Sequence, residues 1–375
     1  MSRDVAPTCH LAPRATRSPS VVAPDGPSNL SAMHRPRPSR AEHDFVAGGL
    51  RVTRGAGHEP VMVAEIVEAF VDTPQGVILD ATVGAGGHAR AILEASTRHR
   101  LIGIDRDPVA VAAASESLAP FGGRARVLRR RFDQLAEVAA ELAEGEPVSG
   151  VLFDLGVSSM QFDEAERGFS YRFDAPLDMR MDPSEELSAA GVVNEWPEAV
   201  LAELFAANGE PRFARRLAAA IVRARPIATT GELSEVVRSA LPGSARARGG
   251  HPAKRVFQAV RVAVNDELEL LPAALDTAMS LLVPGGRIAV LSYHSGEDRI
   301  VKRAFANAAT GWCRCPQGLP CVCGAIPAVR VLSRGARMPK EAEVAANPRA
   351  SSARLRVAER LSGPWRRPGG QGEEA

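Results

Sequence analysis

Between residues 77 and 105 the chain runs through an apolar stretch, a glycine-rich turn, a short helical stretch and a second apolar stretch that ends in an acid. The first half reads Leu79-Asp80-Ala81-Thr82-Val83-Gly84-Ala85-Gly86-Gly87-His88, and the second Leu101-Ile102-Gly103-Ile104-Asp105. Continuous apolar runs are what strands need when both faces of a sheet are covered. Glycines let the backbone of the turn approach a ligand closely, because no Cβ intervenes. An acid about 20 residues further on suits the two hydroxyls of a ribose. The turn departs from G-x-G-x-x-G: it lacks the third glycine, and His88 stands where the helix should begin. A pyrophosphate needs free N–H groups at that helix start. Adenosine with a sulfonium tail does not, so the turn favours S-adenosylmethionine over NAD. A tight turn that binds nothing is the plain alternative.

The alternation continues on both sides. Val63, Ile66, Val67 and Phe70 have helical spacing, as do Ala89–Ser96 and Pro108–Leu118. Ala125–Leu128 and Val151–Asp154 read as further strands. This order predicts an α/β fold with a doubly wound, mostly parallel sheet. From about residue 164 to 261 the periodicity is helical only, which predicts an inserted all-helical domain. Its polar faces carry Arg212, Arg215, Arg216, Arg223 and Arg225, then Arg246, Arg248, Lys254, Arg255 and Arg261. Singly these read as a solvated face; as a set they suit a phosphate-binding surface. A long helix follows, with Val256, Val260, Val264 and Leu268 at intervals of four, and Pro284-Gly285-Gly286 turns into a last apolar strand, Arg287–Ser295. Ligands of open α/β sheets sit beyond the carboxyl ends of the strands. Asp80, Asp105, Asp154 and His294 all fall at such ends.

A chain of 375 residues suits two domains. No apolar run approaches the roughly 18 residues that cross a bilayer, and no signal-type apolar region follows the basic start. A cytoplasmic protein without membrane contact is expected. Residues 1–50, rich in Pro, Ser and Arg, read as disordered; a targeting peptide or an over-long start, with Met33 as another initiator, are the alternatives. Residues 362–375 read as a disordered tail. Of five cysteines, Cys313, Cys315, Cys321 and Cys323 lie within eleven residues, which is not a distributed disulfide framework. Four thiolates so close suit a structural zinc. Yet C-x-C pairs are tighter than the usual C-x₂-C, and loose reduced thiols are the plain alternative.

Longer motifs make the reading specific. They are Asp154-Leu155-Gly156-Val157-Ser158-Ser159 with Gln161, Glu166-Arg167-Gly168-Phe169-Ser170, and Leu177-Asp178-Met179-Arg180-Met181-Asp182. Further on come His251-Pro252-Ala253, Phe257–Val262, Tyr293-His294-Ser295 with Glu297–Lys302, and Asn347-Pro348-Arg349 with Leu355–Arg360. In this order they resemble the bacterial 16S ribosomal RNA cytosine-N4 methyltransferase family, over about residues 57–361. The resemblance implies a Rossmann-like class I methyltransferase domain made of 51–163 and 262–361. The helical insertion 164–261 would recognise substrate RNA. It implies methyl transfer from S-adenosylmethionine to a cytidine amine in the decoding centre, the P-site region, of the small ribosomal subunit. Carried over by motif, the cofactor contacts are Gly86, Gly87, His88, Asp105, Phe132, Asp154 and Gln161. Asp154 is the first candidate for the catalytic pocket, with His294 and Asn265 behind it; the family's chemistry requires no metal. Other amino-methyltransferases carry Asp/Asn-Pro-Pro-aromatic where this chain has Asp154-Leu155-Gly156-Val157, so their mechanism does not transfer directly. An NAD-dependent oxidoreductase and an RNA-binding protein without catalysis are the competing readings. The sequence leaves open free RNA or an assembled subunit as the substrate, and is compatible with a homo-oligomer.

Overall fold

The computed structural model describes residues 46–47, 50–51, 60–243, 251, 253–316 and 321–365. The expectations for the N-terminal extension, for Arg246 and Arg248, and for the tail beyond residue 365 lie outside the described residues.

Seven strands form one sheet: β1 (Gly76–Asp80), β2 (His99–Asp105), β3 (Ala125–Arg129), β4 (Val148–Asp154), β5 (Leu282–Ser292), β6 (Val329–Val331) and β7 (Arg354–Arg360). Their order is β3-β2-β1-β4-β5-β7-β6. The first five are parallel, while β7 runs antiparallel to both β5 and β6. The α/β, doubly wound expectation is met, with an antiparallel edge. All five residues of β1 are buried, as the uninterrupted apolar run requires of a central parallel strand.

Helices α1 (Val63–Phe70), α2 (Gly87–Ala95), α3 (Pro108–Leu118) and α4 (Leu135–Leu142) come from the first half of the chain. One apolar core, with Phe70, Ile78 and Leu101, holds α1, α2 and α3 on one face of the sheet. The other, with Phe153, Val290 and Phe305, lies on the opposite face. After the short α5 (Ser159–Asp163) come α6 (Ala189–Glu195), α7 (Glu198–Ala207), α8 (Ala214–Ala224), α9 (Thr230–Ala240) and α10 (Lys254–Val264). These last five share a third core, in which Leu201, Phe205, Leu217, Ile221, Val237 and Val260 are all buried.

Three boundaries differ from the spacing. The helix expected to run through Leu268 stops at Val264, because Asn265 leaves helical geometry and Asp266 takes a positive φ of 51°. A separate helix, α11 (Leu271–Leu281), then leads to β5. The sequence Pro284-Gly285-Gly286 lies inside β5, at a register shift against β4, rather than in a turn before it. The strand ends at Ser292, and His294 starts α12 (Ser295–Ala309) instead. Helix α13 (Glu341–Ala346) precedes β7. Among the described residues, no helix is long and apolar enough to cross a membrane.

Candidate active site

Strand register explains why acids gather at one edge. Asp80 pairs with Gly103, two residues before Asp105, and with Leu152, two residues before Asp154. Three carboxylates therefore leave neighbouring parallel strands at the same end.

Asp105 is fixed by the backbone around it. Its Oδ2 accepts from Gly84 N at 3.0 Å and its Oδ1 from Asp107 N at 2.9 Å. Burial pushes its carboxyl up to about 6, against these N–H donors. The turn it holds needs two of its glycines for different reasons. Gly86 caps α2 with φ 83°, a left-handed conformation that favours glycine. A Cβ on Gly87 would stand 2.2 Å from Pro60 Cγ, so that glycine admits the chain entering α1.

Asp154 occupies the centre of a polar network. Tyr293 Oη donates to its Oδ1 at 2.8 Å, and His88 Nδ1 lies 3.5 Å from its Oδ2. On its far side His88 Nε2 meets Val61 O at 2.8 Å, so the ring is buried between the chain's entry and the acid. Thr82 Oγ1 accepts from Asp154 N at 2.6 Å. Burial next to Asp154 raises the Tyr293 phenol well above its ordinary value, which keeps it a donor. Asp80 lies deeper, only 1% exposed, and burial raises it to about 8, with the charges of Asp154 and Asp105 adding to the effect. Its neutral form is therefore favoured beside the other two acids.

His294 is committed to α12. Its Nδ1 accepts from Gly296 N and Glu297 N at 3.2 and 3.4 Å, and Nε2 stands 3.1 Å from Glu297 Oε1, poorly aligned for a hydrogen bond. Glu297 Oε2 accepts from Tyr293 N at 2.7 Å and from His294 N at 3.1 Å. Burial opposes the charge of Glu297, yet His294, Arg261 and the Tyr293 N–H hold it below the usual range. His294 and Glu297 thus fix the backbone that presents the Tyr293 hydroxyl to Asp154.

Other candidates from the sequence are engaged by the chain itself. Gln161 is buried; its Nε2 donates to Asp107 Oδ2 at 2.8 Å and its Oε1 accepts from Ser158 N at 3.0 Å. Asp107 caps α3 through Val109 N and also receives Arg167 Nη2 at 3.1 Å. Buried Asn265 uses both donors, to Met179 O and Arg261 O, and its Oδ1 accepts from Met181 N. Both Nδ2 hydrogens are thus engaged within the fold, and the residue ties α10 to the segment 179–181. Phe132 packs edge-on against Phe153, centroids 6.1 Å apart, at the rim of the core.

In the helical segment Arg212, Arg215, Arg216, Arg223, Lys254 and Arg255 are exposed. Two others are not surface charges: Arg225 donates to Val193 O and Trp196 O, and Arg261 makes a two-pronged pair with Glu267 at 2.8 Å. A cavity of about 530 Å³ near the end of β3 is lined by Arg106, Arg129, Arg130 and Arg131, but also by Asp133, Asp182 and Glu185. Arg131 pairs with Asp133, Arg129 with Asp182 and Arg106 with Glu185, so the cavity is charge-compensated.

The MraW methylase family matches residues 55–361, spanning the sheet, the glycine turn and the helical segment. The chain belongs to this methylase family. It is 50% identical over 309 residues to ribosomal RNA small subunit methyltransferase H of Heliobacterium modesticaldum, covering 81% of this chain and 98% of that one. It is 52% identical to the protein of the same name from Symbiobacterium thermophilum, covering 81% and 96%. Thermobifida fusca supplies another of that name at 50% identity, covering 82% and 94%. The methylase is thus a methyltransferase, and S-adenosylmethionine is its methyl donor; the nicotinamide reading falls. The residues fit that donor: Asp105 presents a backbone-held carboxyl at the end of β2, and the positive-φ turn brings bare backbone beside it.

Proposed function

We propose that this methylase transfers a methyl group to the exocyclic N4 amine of a cytidine in 16S ribosomal RNA, in the P-site region of the small subunit. Small-subunit ribosomal RNA as substrate is supported by the names of relatives that match along nearly their whole length; the cytidine amine and its place are what the motif resemblance implies. The chemistry rests on one observation, the Asp154 carboxylate held between Tyr293 and His88 at the sheet edge.

S-adenosylmethionine supplies an electrophilic methyl group on a positively charged sulfur. Asp105 would hold its ribose, and the turn at Gly84 and Gly86 would admit its tail. A cytosine amine is a weak nucleophile because its lone pair delocalises into the ring. Asp154 accepts a hydrogen bond from the amine and returns electron density to that nitrogen. As the methyl passes from sulfur to nitrogen, the amine would lose one proton, which Asp154 would receive or pass to water. Tyr293 aims the carboxylate, and positioning amine and methyl in line supplies much of the rate. The Asp107–Gln161–Arg167 and Asn265 ties hold the helical segment in register with this edge. Its exposed arginines meet RNA phosphates, since the cavity by β3 is already neutralised by its own acids. A base inside folded RNA must be presented or flipped out, which favours an assembled particle.

The test is transfer of labelled methyl from S-adenosylmethionine to small ribosomal subunits lacking the modification, with nucleoside analysis. N4-methylcytidine at one site is expected. A different methylated nucleoside, or cofactor binding with no incorporation, overturns the reading.

A further inference from the structure

The methyl-transfer site leaves one cluster of reactive side chains unused. Residues 310–328 link α12 to β6 and carry Cys313, Cys315, Cys321 and Cys323, none of them in a disulfide. Their four sulfurs all lie within 4.8 Å of one another. Cys313 and Cys321 are 3.5 Å apart, Cys321 and Cys323 3.4 Å, and Cys323 and Cys313 3.6 Å. Sulfurs placed about 2.3 Å from a common centre at tetrahedral corners stand roughly 3.8 Å apart, so little adjustment separates this cluster from a four-sulfur site.

We propose that these four cysteines bind one zinc ion as a structural tetrathiolate site.

Three further features support it. The two C-x-C turns are built alike: the N–H of Cys315 points at the Cys313 sulfur and that of Ala325 at the Cys323 sulfur, each two residues on from its thiol. Such N–H donors stabilise thiolate charge. Among the described residues no imidazole or carboxylate belongs to the cluster, and four sulfurs are a soft set that prefers zinc to magnesium or calcium. Finally, the described residues of the loop bury little apolar surface: Val322 is 89% exposed and Ile326 46%. At the base, Trp312 stands edge-on against Trp365 and Ala328 N bonds Ala308 O. A metal centre supplies the organisation that so small a loop cannot obtain by burial.

The site is remote from the chemistry. His294 begins α12 at the carboxyl edge of the sheet, and the 15 residues of the helix span about 22 Å. The cysteines follow its far end, beside β6, whose Val329 pairs with Arg360 near the amino end of β5.

Elemental analysis of the full-length protein, purified under reducing conditions with zinc present, should find one zinc per chain. Replacing all four cysteines by serine should abolish it. Cobalt loaded in place of zinc should give the thiolate charge-transfer absorption and ligand-field bands of a tetrahedral site. Chelation should lower the melting temperature while S-adenosylmethionine affinity changes less than twofold. Cofactor binding also verifies that the variant folds; should the fourfold variant fail that check, Cys323→Ser alone is expected to lose the cobalt spectrum. Zinc below a tenth of an equivalent in the reduced protein, or zinc content and cobalt spectrum that survive the substitutions, would overturn the proposal.

Discussion

At the carboxyl edge of the sheet the acids are held within the fold; in the helical segment most of the arginines face outward. Asp80 and His88 are buried, Asp154 is reached by Tyr293 and His88, and Asp105 is held by two backbone N–H groups. The helices α6 to α10 instead bury Leu, Val, Ile and Phe and leave Arg212, Arg215, Arg216 and Arg223 exposed. Charge held in the interior is costly and is kept where a fixed field acts on a reacting atom. Charge on a solvated face costs little and attracts a polyanion over a distance set by salt. On the proposed reading one half serves chemistry and the other docking, and the two should fail differently.

The largest effect is expected from Asp154→Asn. The substitution keeps the shape and removes the charge, so single-turnover methyl transfer should fall by about 10²- to 10³-fold. S-adenosylmethionine affinity, read by calorimetry, should stay within about threefold. Near-normal turnover in a folded variant would remove Asp154 from the chemistry and with it the contrast between the halves.

A triple replacement of Arg215, Arg216 and Arg223 by Ser should act on docking alone. Affinity for small subunits at low salt should drop about tenfold or more, and the slope of log affinity against log salt should become shallower by roughly 0.7–0.9 for each phosphate no longer neutralised. Cofactor affinity should not move. An unchanged salt slope would place the RNA elsewhere.

The sequence discloses these two halves unequally. Periodicity is enough for α3, whose bounds Pro108–Leu118 match the spacing, and for the acid closing β2. Both are local properties, one of packing and one of position along a strand. The end of α10 is not local. Val256, Val260, Val264 and Leu268 continue the helical interval, but the Asn265 side chain is taken by Met179 and Met181, more than eighty residues earlier, and the helix breaks there. The site divides the same way. Asp154 and Asp105 can be read from strand ends, whereas the roles of Tyr293 and His88 depend on a register between β4 and β5 and on a carbonyl at Val61. Asp80 shows the same limit: its place at a strand end is legible, but its protonation is fixed by burial and by two acids from other strands. Arginine counts mislead in the opposite direction, since Arg225 and Arg261 carry the same charge as their exposed neighbours yet are bound within the fold.

The finest separation of the halves comes from pH. The Asp105 carboxyl is raised by burial to about 6 in the free protein. Ribose hydroxyls donate to the ionised form, so cofactor binding lowers that value, and below pH 6 part of the binding free energy is spent on releasing a proton. S-adenosylmethionine affinity should therefore be flat above about pH 7 and fall as pH drops toward 5, by at most about tenfold per pH unit. Asp105→Asn should bind more weakly and lose this step. RNA affinity through guanidinium groups should show no such step, because arginine stays charged throughout, and should respond to salt instead. Titrating both ligands across pH 5–8 at two salt concentrations distinguishes the cases. A cofactor affinity that follows salt but not pH would mean that Asp105 does not carry the ribose, and that the sheet edge binds its ligand by the same screened attraction as the helical face.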